Sequence, residues 1–364
     1  MIKHKDHFHG SDLEKIEKIY GIKKDDIISF SANVNPLGIS PKLKEGIKEH
    51  IDCITTYPDR EYSELRGCIA NYAGCETENV IVGNGSTELI SLFVQIEHPK
   101  KALILGPTYS EYEREISLVG GKTIYYPLRE DNDFILDTED FVSKLTEDID
   151  LLIICNPNNP TGTAINTHDM RKILDACMAC HIFVMVDETY VEFAEDVSKI
   201  SAVGLTRTYG NIAILRGTSK FFAAPGLRLG YAICSNADLI SEINKRKDPW
   251  TINSIAVVAG TLMFTDQEYI DKTRALIGSE RDRLYKLFAE SNRFKPYKPH
   301  GNFMLLKILE EGITSGDLFD KAIRKGLMIR DCSTFPYLGD NYIRFCFMTP
   351  SDNDTLSAIL LERN

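Results

Sequence analysis

The chain has 364 residues, 43% of them hydrophobic and 26% charged, enough for one large globular domain with a smaller one attached. A formal net charge of −11 excludes the basic face of a non-specific nucleic-acid binder, and no apolar run approaches the roughly 18 residues of a membrane span. The nine cysteines follow no disulfide framework and read as reduced thiols of a cytoplasmic protein.

The chain opens with a polar segment that lacks the apolar core of a signal peptide. His4, His7 and His9 cluster there, and such a terminal cluster is expected to be solvated or packed on a partner chain rather than to hold a metal. Further on, short apolar runs alternate with longer helix-like stretches. The strand-like runs are Val80–Val82, Lys101–Leu105, Leu151–Cys155, Ile182–Val186, Ile212–Leu215 and Leu229–Cys234. Continuous apolar runs of this kind suit strands buried on both faces, as in a mostly parallel sheet with helices on both sides. Cys177-Met-Ala-Cys180 has no second cysteine pair and no histidine at finger spacing, so it reads as a helix face rather than a metal or redox site. From about Asp266 the texture changes. Helices over Arg274–Glu290 and Ser315–Lys325 alternate with strand-like Asn302–Lys307, Leu327–Arg330 and Tyr342–Cys346. The expected organisation is an arm plus part of a small domain over 1–40, a large α/β domain over 41–265, and a smaller C-terminal α+β domain over 266–364.

Ligands of open α/β sheets bind outside the carboxyl ends of the strands. Gly83-Asn84-Gly85-Ser86-Thr87-Glu88, Pro107-Thr108-Tyr109, Asn156-Pro157-Asn158-Asn159-Pro160-Thr161-Gly162, Asp187 and Lys220 all follow strand-like runs, so they should converge on one rim. A lysine amine, an aspartate at a strand end and an arginine eight residues after the lysine, Arg228, are what pyridoxal 5′-phosphate requires. The lysine anchors the cofactor's aldehyde, and the aspartate keeps its pyridine nitrogen protonated so that the ring accepts electrons. Gly85, Ser86 and Thr87 open a helix whose free amides suit a phosphate. Arg228 is a second phosphate contact or a structural ion pair. Tyr109 stacks on a ring face or packs in the core. Asn159 and Tyr190 are candidates for the cofactor's phenolic oxygen. Tyr57, in Thr56-Tyr57-Pro58-Asp59, is a phosphate ligand or an ordinary turn residue.

These motifs, together with Phe30-Ser-Ala-Asn-Val-Asn-Pro-Leu-Gly38, Ser219-Lys220 and Arg344, cover nearly the whole chain. The chain resembles the class I/II aminotransferases, the fold-type I pyridoxal-phosphate enzymes. Within them it looks like the branch holding histidinol-phosphate aminotransferase and L-threonine-O-3-phosphate decarboxylase. The resemblance implies the cofactor on Lys220, Asp187 at the pyridine nitrogen, Asn159 and Tyr190 at the phenolate, and a stacked Tyr109. It places Gly85, Ser86, Ser219 and Arg228 around the phosphate, and gives Arg330 and Arg344 to the anions of a small phosphorylated substrate. It also implies a homodimer in which Tyr57 reaches the neighbouring subunit's cofactor phosphate. Many relatives carry Ser or Thr three residues before the lysine; Gly217 stands there, so one phosphate bond is either missing or supplied by Thr218 or Ser219.

The branch's two reactions differ in which bond at Cα breaks. His9-Gly10-Ser11-Asp12, Ser110-Glu-Tyr-Glu113, Lys220–Gly226 and Ile329–Phe335 resemble the decarboxylase, whereas Asp187–Phe193 reads more like the aminotransferase. The expected activity is decarboxylation of L-threonine-O-3-phosphate in the aminopropanol arm of cobalamin synthesis. The alternative is amino exchange between histidinol phosphate and 2-oxoglutarate. A different class, a non-catalytic cofactor-binding regulator, needs a fused DNA-binding segment, and too few residues precede Phe30 for one.

Overall fold

The computed structural model describes residues 12–362. The His4, His7 and His9 cluster and most of the His9–Asp12 motif lie outside the described residues. A short strand, β1 (Ile28–Ser29), precedes the strands of the main sheet: β2 (Val80–Asn84), β3 (Lys101–Gly106), β4 (Lys122–Pro127), β5 (Leu151–Cys155), β6 (Phe183–Asp187), β7 (Ile212–Gly217) and β8 (Leu229–Ile233). Their spatial order is β2-β8-β7-β6-β5-β3-β4. The pairs from β4 through β7 are parallel, and β8 runs antiparallel to both β2 and β7.

The apolar runs become central strands because both faces of the sheet are covered. In β5, Leu152 and Ile154 enter one core while Leu151 and Ile153 enter the other. In β6, Val184 and Val186 part from Phe183 and Met185 in the same way, following the two-residue alternation of a strand. Leu89 and Phe93 of the helix Gly85–Glu97 cover one face, and Met170, Ile173 and Leu174 of the helix Thr167–Ala179 cover the other. The edge strand β4 escapes a sequence reading because Lys-Thr-Ile-Tyr-Tyr-Pro has only a three-residue apolar run and is no more than half-buried.

The remaining strands are β9 (Phe294–Pro296), β10 (Phe303–Ile308), β11 (Leu327–Met328), β12 (Arg330–Asp331) and β13 (Tyr342–Cys346). An antiparallel sheet runs β12-β13-β10-β9, and β11 pairs in parallel with β1. The expected single strand Leu327–Arg330 is thus two: the chain leaves one sheet at Met328 and enters another at Arg330, with Ile329 fully buried between them. The expected helix from Arg274 begins earlier, at Gln267, because Asp266 caps it by accepting from the Tyr269 amide. Lys307 of β10 bonds both Glu130 oxygens, at 2.7 and 2.8 Å, which ties this sheet to the main one. All nine cysteines are free; Cys177 is buried in its helix and Cys180 half-buried. No helix among the described residues is long and apolar enough to cross a membrane.

Candidate active site

Lys220 stands three residues past the end of β7, on a loop pinned to β8. The Thr218 amide and hydroxyl both donate to the Leu229 carbonyl, each at 3.1 Å. The half-buried Lys220 amine donates to the Ala32 carbonyl at 2.7 Å. Burial, and secondarily the charge of Arg344, pull this amine down to about 8. A neutral amine is the nucleophile, so Lys220 of the apoprotein should be unusually reactive. Its acetylation by acetic anhydride is expected to rise about tenfold per pH unit at low pH and to level off near pH 8. Mass spectrometry of the labelled peptide reads this, and a plateau only near the ordinary lysine value of 10.5 would contradict it.

Asp187 ends β6, on the strand beside β7. Its Oδ1 accepts from the Thr189 hydroxyl at 2.5 Å and the Thr189 amide at 2.9 Å, and its Oδ2 accepts from the Tyr112 hydroxyl at 2.6 Å. Tyr112, fully buried, meets the half-buried Tyr109 edge-to-face with ring centroids 5.6 Å apart.

At the end of β2 the backbone turns through Gly85 at φ 78°, a conformation that favours glycine. A side chain there would also collide with Arg228, whose guanidinium lies 2.3 Å from the site of the missing Cβ. Gly230 of β8 is likewise required, since a Cβ on it would lie 2.3 Å from the Ser86 amide nitrogen. Among the described residues, Arg228 has no carboxylate within ion-pair distance and the Ser86, Thr87 and Ser219 hydroxyls have no protein partner. The nearby Glu88 carboxylate is committed elsewhere, accepting from the Asn84 amide and the Thr251 hydroxyl, each at 2.6 Å. Donors without acceptors at a helix N-terminus fit a phosphate, and together with Lys220 and Asp187 they fit pyridoxal 5′-phosphate. At Gly217 the choice narrows. The Thr218 hydroxyl is buried and bonded to Leu229, so it is not the substitute donor, whereas the Ser219 hydroxyl remains available.

Tyr190 is buried, accepts from the Asn33 amide at 3.3 Å, and packs edge-to-face on Phe303 at 4.9 Å. Burial pushes its phenol well up, opposed by the Arg344 guanidinium. Asn159 turns its Oδ1 to Arg344 Nη1, which leaves its amide group as the donor. Arg344 on β13 is 4% exposed and donates through Nη2 to the Ser31 carbonyl at 2.6 Å. Among the described residues its Nε has no partner and no carboxylate lies within ion-pair distance of it. Arg330, directly opposite Arg344 in the β12–β13 register, donates to Thr334 at 3.0 Å and lies 5.2 Å from the Phe335 ring centroid. Ser31 Oγ, Asn33 Oδ1 and Asn302 Oδ1 are also buried without partners among the described residues. Tyr57 is 78% exposed and packs at a tilt on the exposed Trp250, with ring centroids 4.7 Å apart.

Sequence reasoning assigned no role to Tyr112 or Asn33. The signal for Tyr112 was its place three residues after Tyr109, in the first turn of the helix Glu111–Leu118 that opens at the same rim. Glu188, in the Asp187–Phe193 stretch, is a strut: fully buried, it holds Arg216 of β7 at 2.7 Å and so locks β6 to β7 beneath the site.

Residues 25–360 match the family model described as aminotransferase class I and II. A protein of Caldanaerobacter subterraneus subsp. tengcongensis, provisionally named a threonine-phosphate decarboxylase, is 38% identical over 90% of this chain and 88% of its own length. The threonine-phosphate decarboxylase of Salmonella typhimurium is 30% identical over 97% of this chain and 95% of its own. The crystal structure of the histidinol-phosphate aminotransferase from Clostridium acetobutylicum is 33% identical and superposes with a TM-score of 0.84, covering 91% of this chain and 97% of that one. With a match of that extent, and a strand-end rim fitted to the cofactor, the chain belongs to the class I and II aminotransferases, enzymes that depend on pyridoxal 5′-phosphate.

Proposed function

We propose that the protein is a decarboxylase of L-threonine-O-3-phosphate. The observation that carries this reading is Arg344, a buried cation without a carboxylate partner, set opposite a second arginine and close enough to Lys220 to depress its amine. A buried unpaired charge is costly unless an anion completes it. Two guanidinium groups suit a substrate carrying both a phosphate and a carboxylate, as L-threonine-O-3-phosphate does. The identity of 38% to a relative provisionally named for that activity supports the same reading.

When bound, pyridoxal 5′-phosphate supplies the electron sink for the pair left at Cα once a bond there breaks. Gly85, Ser86, Thr87, Ser219 and Arg228 hold its phosphate, Asp187 its ring nitrogen, and Asn159 with Tyr190 its phenolic oxygen. Tyr109 covers a face of its ring. Arg330 and Arg344 fix the two substrate anions and so orient the Cα–carboxylate bond for cleavage. Lys220 holds a proton at Nζ and returns it to Cα after carbon dioxide departs. The working unit is a homodimer in which Tyr57 reaches the neighbouring subunit's cofactor phosphate, and its exposed aromatic face supports this.

A second reading is histidinol-phosphate aminotransferase, with Lys220 removing the Cα proton instead. It is supported by the 33% identity to the Clostridium structure and by the Asp187–Phe193 motif. The carboxylates of glutamate would then occupy the arginines. The two readings part when the cofactor-loaded protein is given L-threonine-O-3-phosphate without any oxo-acid. Sustained release of carbon dioxide over many turnovers is expected. No carbon dioxide, with histidinol phosphate converting the cofactor to its pyridoxamine form, would establish the aminotransferase instead.

A further inference from the structure

We propose that Tyr112 is a positioning residue for the cofactor ring, acting through the one carboxylate oxygen of Asp187 that is left to receive the ring nitrogen. The proposal rests on the reading that Asp187 meets that nitrogen. An ionised carboxylate has about four acceptor sites, two on each oxygen. Oδ1 is filled by the two donors of Thr189, at 2.5 and 2.9 Å. Among the described residues Oδ2 receives only the Tyr112 hydroxyl, at 2.6 Å, so one site stays open on the oxygen that Tyr112 holds. The ring N–H therefore bonds to Oδ2, and the direction of that bond depends on the phenol behind it. Tyr112 is fully buried in the helix Glu111–Leu118, which anchors the phenol, and its ring edge supports Tyr109, the residue placed over the cofactor. One side chain thus sets both the partner of the ring nitrogen and the residue against the ring face.

The test uses Tyr112→Phe, which deletes the hydroxyl and keeps the ring against Tyr109. Apoprotein is titrated with pyridoxal 5′-phosphate and with its 1-deaza analogue, in which the ring nitrogen is replaced by carbon. Tyr112→Phe should weaken binding of the natural cofactor about tenfold and binding of the analogue less than about twofold. A phenol that only packs the core would affect both ligands alike, and equal losses would overturn the proposal. Thr189→Val, which strips a donor from the filled Oδ1, should cost less than Tyr112→Phe; an equal or larger loss overturns the assignment to Oδ2. Asp187→Ala separates this proposal from the reading beneath it. If Asp187→Ala loses the preference for the natural cofactor while Tyr112→Phe keeps it, Tyr112 alone is misassigned. If Asp187→Ala keeps the preference, the placement of Asp187 fails and the role of Tyr112 falls with it.

Discussion

Replacing Lys220 with alanine is expected to abolish turnover, lowering kcat by at least about 10⁴-fold, because in the proposed function the amine is both the covalent anchor and the proton carrier at Cα. The visible absorbance of the covalently held cofactor should vanish. Affinity for the phosphate end should survive, since Arg228 and the turn through Gly85 do not depend on the lysine for their placement. The variant should also lose a distinctive pH dependence of stability. The folded-state amine sits at about 8, below its ordinary value of 10.5. Between those values the unfolded chain still holds the proton that the native apoprotein has released, so wild-type stability rises with pH across that window. Lys220→Ala removes that contribution to the slope. Denaturant unfolding of both apoproteins at several pH values reads it, and an unchanged slope would show that the amine is not depressed.

Arg344→Ala should give the second largest effect. Truncating one partner of a buried charge pair costs on the order of 4 kcal/mol, or roughly a thousandfold in kcat/KM. Arg344 is 4% exposed and has no protein carboxylate to share that role. Arg330 is half-buried, so Arg330→Ala should cost only about tenfold. Arg344→Lys keeps the charge but loses the planar fork, and should recover only part of the loss, mainly in kcat rather than KM. Steady-state kinetics of the three variants with L-threonine-O-3-phosphate would show this order. Equal losses for Arg330→Ala and Arg344→Ala would mean that burial does not rank the two arginines.

Much of the candidate site was legible from the sequence because strand ends are legible. Continuous apolar runs mark strands buried on two faces, and polar or small residues directly after them must lie at the carboxyl rim. Lys220, Asp187, Tyr109, Asn159 and the Gly83–Glu88 turn were all found in this way. The same rule failed where burial is partial or a run is broken. β4 carries too few apolar residues to register, and Ile329 divides one apolar run between two sheets.

Residue order along the chain determined the groups available to this protein: an amine, a carboxylate and a glycine-containing turn that opens a helix, each at the end of a strand. Only the tertiary structure decided how those groups are employed. Thr218 spends its hydroxyl on the Leu229 carbonyl, Asn159 turns its oxygen to Arg344, and Glu188 is drawn to Arg216 rather than toward a ligand. These are pairings between residues up to 185 positions apart. A buried donor or acceptor must find a partner wherever packing places one, and packing brings together strands whose separation in sequence carries no record of their contact.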